Sequence, residues 1–195
     1  MNCKKQIWGI LLLFAALGQV YADEGMWVLK ELNKQNLARM KELGFIPTYE
    51  QLYSETDPCV ANAVVIFGGG CTGITVSQEG LIFTNHHCGY SSIQQLSSVE
   101  HDYLKDGFVS QKKEEELPVP GLSVQYLKET IDVTDRINRV IAPIGDEYKR
   151  LMAADSVGQV LCDSIGRNEF KRAQVIPFYS NNKYYLVVYN VYRDV

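Results

Sequence analysis

The sequence predicts a mainly β fold with flanking helices, and three observations predict it. Residues 71–85 and 175–192 each contain two strand-like runs joined by a short polar turn, which is typical of β-hairpins. Residues 26–43 carry apolar side chains at the helical period ahead of the first hairpin. Between the hairpins, residues 133–141 and 146–165 are further helical candidates.

The first 22 residues are predicted to be a secretory signal peptide. Lys4 and Lys5 precede an apolar stretch at residues 7–17, and residues 20–22 have small or modest side chains where a signal peptidase reads them. The alternative, a transmembrane anchor, needs about 20 apolar residues. The mature chain is therefore expected to begin near Asp23, to be exported and to have no membrane span.

Composition and charge limit the function of the mature chain, residues 23–195. The sequence is 46% hydrophobic and 22% charged, which excludes a disordered chain and a multi-span membrane protein. Removing residues 1–22 takes two lysines from the 19 basic side chains and leaves 17 against 23 acidic ones, a formal charge of −6 instead of −4. This balance gives no reason to expect nucleic acid as a partner.

The amino-terminal part of the mature chain is expected to be helical. An amphipathic helix is predicted over residues 26–43, and Gly44 is a stop signal directly after it. Thr48 with Gln51 three residues later forms a capping-box pattern, which predicts a short second helix through Tyr53.

The first hairpin follows a short β-rich run and three glycines. The run covers residues 61–67, and the strands of the hairpin are predicted at residues 71–76 and 81–85, joined by a polar turn that ends in glycine. Residues 90–108 mix helix-like spacing with polar breaks and predict no single element.

The second half of the chain is expected to contain a solvated charged loop, a strand, two helices and a hairpin. These are assigned to residues 112–116, 122–126, 133–141, 146–165, and 175–179 with 184–192. The last strand is strongly apolar, so it needs a sheet partner on each side or a cover over its edge. Either neighbouring strands supply these contacts, or the chain is the front part of a longer protein.

Four cysteines are left once the leader is removed. Because an exported chain meets an oxidising compartment, disulfide pairing is favoured over metal ligation. Cys71 lies 17 positions before Cys88 across the predicted hairpin, so a bridge between them is sterically plausible, although four thiols allow three pairings. Cys59 and Cys162 could pair with each other, and a buried free thiol is equally compatible with each.

The segment that carries chemistry is His86-His87-Cys88, directly after a predicted strand. In an exported protein, a histidine at a strand end beside a bridged cysteine is typical of the general base of chymotrypsin-like serine proteases. Three alternatives compete with this interpretation: a structural hydrogen-bonding pair, a zinc site that includes Cys88, and a polar loop. Spacing places neither the serine nor the aspartate of a triad.

Longer motifs carry a resemblance to a known family. They are GMW at 25–27, GGGCTG at 68–73, GLIFTNHHCGY at 80–90, HDYL at 101–104 with DGF at 106–108, and PFYSNN at 177–182. With these motifs the sequence resembles the bacterial dipeptidyl-peptidase 7 and 11 family of exported serine exopeptidases over essentially the whole mature chain. Residues 61–73 and 117–124 are most similar to the type 7 branch, which is associated with apolar residues at the second substrate position.

The resemblance implies a chymotrypsin-like double β-barrel with an inserted helical domain, of which this chain would be the N-terminal part. It implies a serine-type enzyme that releases dipeptides from peptides with a free N-terminus, without metal or organic cofactor, in the periplasm or at the cell surface of a Gram-negative bacterium. It assigns the general base to His87, leaves His86 as a structural neighbour, and matches Cys71 and Cys88 to the family's disulfide. A homodimer of the full-length protein is compatible with it.

Part of the family's catalytic machinery is expected beyond Val195. The triad aspartate and the nucleophilic serine match no position of the chain, which has no Gly-x-Ser-Gly element. None of Ser91, Ser92, Ser97 and Ser98 lies in such a glycine framework, so none is assigned as the nucleophile, and Asp102 is likewise given no catalytic role. The chain alone is expected to be inactive.

Two other functions compete with the enzyme fragment. One is a non-catalytic periplasmic domain that binds a peptide or a partner. The other is a zinc module of His86, His87 and Cys88, which is disfavoured because consecutive side chains of an extended strand point to alternating faces.

Overall fold

The computed structural model describes residues 27–32, 34–166 and 168–195, and the predicted signal peptide lies outside them. The chain divides into two compact units, Met1–Phe45 and Ile46–Val195. None of the helices in these described ranges has the length and apolar character needed to cross a membrane.

The first unit contains a 3₁₀ turn, Leu29–Glu31, and helix α1, Lys34–Glu42. Leu32 has an extended backbone after the turn, so the expectation of one continuous helix over residues 26–43 is wrong. The predicted stop at Gly44 is confirmed: Gly44 has a φ of +99° and its N–H donates to the Lys41 carbonyl. Phe45 N–H donates to the Met40 carbonyl at 2.9 Å, which completes a Schellman motif.

The second unit starts with two short helices, α2 (Tyr49–Leu52) and α3 (Val60–Ala63). The capping box predicted for α2 is confirmed. Gln51 N–H donates to Thr48 Oγ1 at 3.2 Å, and Thr48 N–H donates to Gln51 Oε1 at 2.9 Å. Because α3 occupies the start of the predicted β-rich run, the first strand begins only at Val64.

Six strands form one antiparallel sheet in the order β3-β2-β1-β4-β6-β5. They are β1 (Val64–Phe67), β2 (Cys71–Thr75), β3 (Ile82–Thr84), β4 (Ser123–Asp132), β5 (Lys171–Phe178) and β6 (Lys183–Arg193). Both predicted hairpins are confirmed, as β2–β3 and β5–β6. The apolar last strand, β6, pairs with β4 on one side and β5 on the other, so the chain supplies both of its neighbours.

Among the described residues, four more α-helices lie in the chain between β3 and β4 and between β4 and β5, so the structure is mixed α and β instead of mainly β. They are α4 (His86–Leu96), α5 (Tyr103–Asp106), α6 (Thr134–Ile141) and α7 (Glu147–Ser164). The two helices predicted between the hairpins are confirmed as α6 and α7. The charged run at residues 112–116 is exposed, as expected, and contains one 3₁₀ turn, Lys113–Glu115.

Strand β6 carries a hydrophobic core on each of its faces, because successive side chains of a strand point to opposite faces. On one face, Tyr184 and Leu186 join a cluster that includes Ile137 of α6 and Cys162 of α7. On the other face, Tyr185, Val187 and Tyr189 form a second cluster. These buried contacts fix the sheet on which the β2–β3 hairpin is built.

Candidate active site

The predicted base, His87, lies in the first turn of α4. Strand β3 ends at Thr84, Asn85 is the N-cap with an extended backbone, and the helix starts at His86. The expectation of a histidine on an extended strand end is therefore corrected, since one capping residue separates the strand from the histidine pair. Both histidine side chains are exposed.

The hairpin beneath His87 is closely packed. Gly73 pairs with Thr84 across β2 and β3, and Thr84 Oγ1 donates to the Thr72 carbonyl at 2.9 Å. A Cβ atom on Gly73 would lie 2.8 Å from Ile82 Cγ2 and 3.1 Å from Val65 Cγ2. Only glycine fits there without a shift, so the end of β3 is held firmly in register.

A disulfide joins the first residue of β2, Cys71, to the first turn of α4 at Cys88, with their Cα atoms 6.0 Å apart. Cys88 N–H also donates to the Asn85 carbonyl at 2.9 Å. The paired strands β2 and β3 hold the chain just before His87, and the Cys71–Cys88 disulfide holds it just after. The backbone of His87 therefore has little freedom.

The other two cysteines in the part of the chain that the structure describes have free thiols. Cys59 is half-buried and its Sγ donates to Asn62 Oδ1 at 3.2 Å, whereas Cys162 is buried in the core. The sequence allowed either a Cys59–Cys162 disulfide or two free thiols, and the structure shows two free thiols.

Three groups of metal-ligand type meet at this corner. The ligand atoms of Cys71, His87 and Cys88 all lie within 4.8 Å of one another. The zinc module was disfavoured on the expectation that these residues lie on an extended strand, and that expectation is wrong because His87 and Cys88 are helical. His86, the third member of the predicted zinc module, is not in this group, and its ring packs edge-on against Tyr90 with centroids 5.7 Å apart. Both sulfurs belong to the disulfide, so they are not thiolate ligands in this state.

Within the part of the chain that the structure describes, no carboxylate joins this group and the His87 ring makes no hydrogen bond. Asp102 caps α5, where its carboxylate accepts from Lys105 N–H at 3.2 Å. Ser97 Oγ donates to the Ile93 carbonyl at 2.8 Å. Both hydrogen bonds are local to a helix: Asp102 caps the start of α5, and Ser97 follows the last residue of α4.

An apolar depression beside Asn85 is a feature that sequence reasoning missed. Val64, Ile74 and Phe83 are aligned across three strands by the strand register, and each is more than 40% exposed. The depression they line has a volume of about 410 Å³ and reaches Asn85. The sequence signal for this depression was the unbroken apolar run of β1, Val64–Phe67. Such a run places apolar side chains on both faces of the strand, so one face is left to line a surface depression.

Known proteins match this chain along its length. The Peptidase S46 family model matches residues 22–195. Dipeptidyl-peptidase 7 from Porphyromonas gingivalis is 55% identical over the whole chain, and Dipeptidyl-peptidase 7 from Porphyromonas endodontalis is 52% identical. The chain covers 27% and 24% of these two proteins, so it spans about a quarter of their length.

Solved structures agree with this assignment. The crystal structure of Porphyromonas endodontalis DPP11 superposes with a TM-score of 0.76 at 39% identity, covering 89% of this chain and 25% of that one. The same protein in complex with the dipeptide Arg-Glu gives a TM-score of 0.72 at 38% identity and covers 88% of this chain and 26% of that one. With a family model matching residues 22–195 and relatives above half identity, the chain belongs to the peptidase S46 family.

Proposed function

We propose that this chain is the N-terminal portion of a serine-type dipeptidyl peptidase and that His87 is its general base. The observation that carries the proposal is the position of His87: its ring is exposed, and its backbone is held between the β2–β3 hairpin and the Cys71–Cys88 disulfide. Membership of the peptidase S46 family and the names of the relatives support it.

In this proposal His87 takes the proton of a serine hydroxyl as the serine attacks the scissile carbonyl. The same ring later returns that proton to the leaving amine. The exposed ring is open to a nucleophile supplied by another part of the polypeptide, and no carboxylate of the described residues occupies the group around it. The serine, the orienting aspartate and the oxyanion donors would come from the region that the relatives have beyond this quarter.

The fold we propose for the full-length protein is a chymotrypsin-like double barrel, with the six-stranded antiparallel sheet as part of its first barrel. Two properties of the sheet support this: every strand pair is antiparallel, and β6 is buried on both faces. Residues 1–22 are proposed as a leader that exports the protein to the periplasm or the cell surface, where it acts as a homodimer.

The proposed substrates are peptides with a free N-terminus and an apolar second residue. Relatives named Dipeptidyl-peptidase 7 reach 55% identity, whereas an Asp/Glu-specific dipeptidyl-peptidase from Porphyromonas endodontalis is 42% identical. The DPP11 structures that hold Arg-Glu or Arg-Asp support a dipeptide-sized site in this family.

A chimera tests the activity class. The 195 residues of this chain would replace the matching stretch of the Porphyromonas gingivalis Dipeptidyl-peptidase 7, and the parent enzyme would be the control. We expect dipeptide release from a peptide with a free N-terminus and leucine in second position, and none from its N-acetylated form. A glutamate in second position should give slower release. Cleavage of the acetylated peptide, or release of single amino acids, would contradict the proposal.

The chain by itself is predicted to have no peptidase turnover, because a histidine without its serine and aspartate cannot form a triad. Purified, contaminant-free chain would be incubated with the peptide used for the chimera, and products followed by mass spectrometry. The same preparation should keep a circular dichroism spectrum of mixed α and β type, which shows that it is folded. Robust dipeptide release by the chain alone would refute this prediction.

A further inference from the structure

We propose that reduction of the Cys71–Cys88 disulfide converts this corner of the fold into a zinc site, with the thiolates of Cys71 and Cys88 and a ring nitrogen of His87 as protein ligands. The binding itself follows from the geometry of these three residues. Only the expected inhibition of catalysis by bound zinc rests on the function proposed for His87.

The distances favour a tetrahedral ion. Zinc binds cysteine sulfur at about 2.3 Å and histidine nitrogen at about 2.0–2.1 Å, which places the ligand atoms roughly 3.5–3.8 Å apart. The three ligand atoms already lie within 4.8 Å of one another. Breaking the S–S bond lets the sulfurs separate to the spacing that zinc needs, so side-chain rotation is enough to form the site.

The backbone holds the three residues together after reduction. Cys71 pairs with Phe67 in the β1–β2 ladder, and Cys88 N–H donates to the Asn85 carbonyl at 2.9 Å. The Thr84 side chain ties the end of β3 to β2 by its bond to the Thr72 carbonyl. These contacts do not involve the disulfide, so strand β2 and the start of α4 stay adjacent without it.

Solvent reaches the site. His87 is exposed and both cysteines are half-buried. Cys88 also lines an open groove of about 380 Å³ together with Ser91, Ser92 and Gly69. Two cysteines and one histidine are a ligand set that zinc uses in proteins, with water in the fourth position.

The chemical step needs a dithiol as reductant. The S–S bond accepts two electrons and two protons and becomes the thiols of Cys71 and Cys88, while the dithiol is oxidised to its own disulfide. Zinc then displaces both thiol protons to the solvent and bonds to the two thiolates and to His87. A ring nitrogen bound to zinc cannot accept a proton, so the metal would inhibit an enzyme that uses His87 as its base.

Metal titration of the full chain tests the site directly. The chain would be reduced with excess dithiol, freed of it by gel filtration without oxygen, and titrated with Zn²⁺ and with Co²⁺ as a spectroscopic probe. We expect one equivalent of zinc, with cobalt giving the visible bands of a tetrahedral site and a thiolate charge-transfer band. The oxidised chain should give neither band.

Matched variants identify the ligands. Cys71→Ser and His87→Ala should each weaken zinc binding by at least roughly tenfold, since even indirect changes at metal sites cost that much. His86→Ala, the neighbouring histidine, and Cys59→Ser, a free thiol elsewhere, should bind zinc as the wild type does. Circular dichroism would follow folding, and zinc should restore any signal that reduction removes.

Several outcomes would overturn the zinc site. They are a reduced wild type that binds no more zinc than Cys71→Ser, a His87→Ala variant that binds as tightly as wild type, and a reduced chain whose lost signal zinc does not restore. The chimera separates this from the proposed function: in the reduced chimera, one bound zinc without loss of dipeptide release would leave the site intact and contradict the catalytic role of His87.

Discussion

At the scale of single residues, the position of His87 depends on a glycine that is distant from it in sequence. Gly73 faces Ile82 and Val65 so closely that a methyl group there would overlap Ile82 Cγ2 and lie tightly against Val65 Cγ2. Its backbone is not in the left-handed region, so steric contact alone excludes a larger side chain. The hairpin that leads into α4 is therefore sensitive to one added carbon atom.

Gly73→Ala should lower the free energy of unfolding by about 1–3 kcal/mol, the usual cost of inserting a carbon into a packed site. Gly69→Ala is the matched control, because a Cβ there meets no atom within 4 Å and the position has no positive φ. Urea unfolding of both variants measures the difference. Equal stability of the two variants would show that the hairpin accommodates the methyl group.

Tyr189 gives a second residue-scale prediction, in alkaline solution. Burial raises the pKa of the Tyr189 hydroxyl, while the Gln174 amide and the Arg172 charge act in the opposite direction. A raised pKa in the folded state means that the unfolded chain ionises first, near pH 10. The stabilising contribution of Tyr189 is thus fully present below about pH 10 and falls as the pH rises through the folded-state value.

Tyr189→Phe should therefore reduce the loss of unfolding free energy between about pH 9 and pH 11, compared with the wild type. Tyr148→Phe is the control, because Tyr148 is 71% exposed and its hydroxyl keeps its hydration on folding. Urea titrations across this pH range provide the measurement. An identical alkaline slope for Tyr189→Phe and wild type would contradict the assignment.

At the scale of elements, the best predicted parts are those whose signals are local. The capping box of α2, the Gly44 stop and both hairpins are set by residues next to one another in the chain. Helix α4 was not predicted, because its first turn has no acidic residue and follows the strand-like run at residues 81–85 with no glycine or proline between them. Because α4 was not predicted, His87 and Cys88 were placed on an extended strand, and the zinc site was disfavoured for that reason.

Strand β4 shows a different limit of sequence reasoning. Only residues 122–126 were predicted, whereas the strand runs over Ser123–Asp132. A register shift between Leu127 and Glu129 interrupts the alternation of inward and outward side chains. The pattern that identifies a half-buried strand is therefore lost halfway along it, although the pairing with β6 continues.

Helix α6 gives a prediction for the packing of an element. Ile137 is fully buried against β6, so Ile137→Ala should lower the free energy of unfolding by about 2–5 kcal/mol. Val140 on the same helix is 45% exposed, and Val140→Ala should stay within about 0.5 kcal/mol of wild type. Thermal and urea unfolding compare the two, and a similar loss in both would mean that α6 does not pack as described.

At the scale of the whole molecule, the hydrophobic cores and the His87 site lie at opposite ends of the sheet. The β5–β6 hairpin, with the two cores that β6 carries, forms one end of the sheet, while the β2–β3 hairpin that leads to His87 forms the other. Sequence reasoning found His87, Cys71 and Cys88 because they lie at the ends of one hairpin. It placed no serine or aspartate beside them, and no carboxylate of the described part joins the group around His87. The chain spans about a quarter of the length of its relatives.

The measurement that tests the central claim most directly compares the two adjacent histidines in the chimera with Dipeptidyl-peptidase 7. His87→Ala should lower kcat for dipeptide release on the order of 10⁴-fold or more with little change in KM, as expected when a triad base is removed. His86→Ala should stay within about tenfold of the unmodified chimera, because its ring packs on Tyr90 and, among the described residues, is not part of the group that contains His87. A folded His87→Ala chimera that retains kcat within about tenfold would contradict the assignment of His87 as the general base.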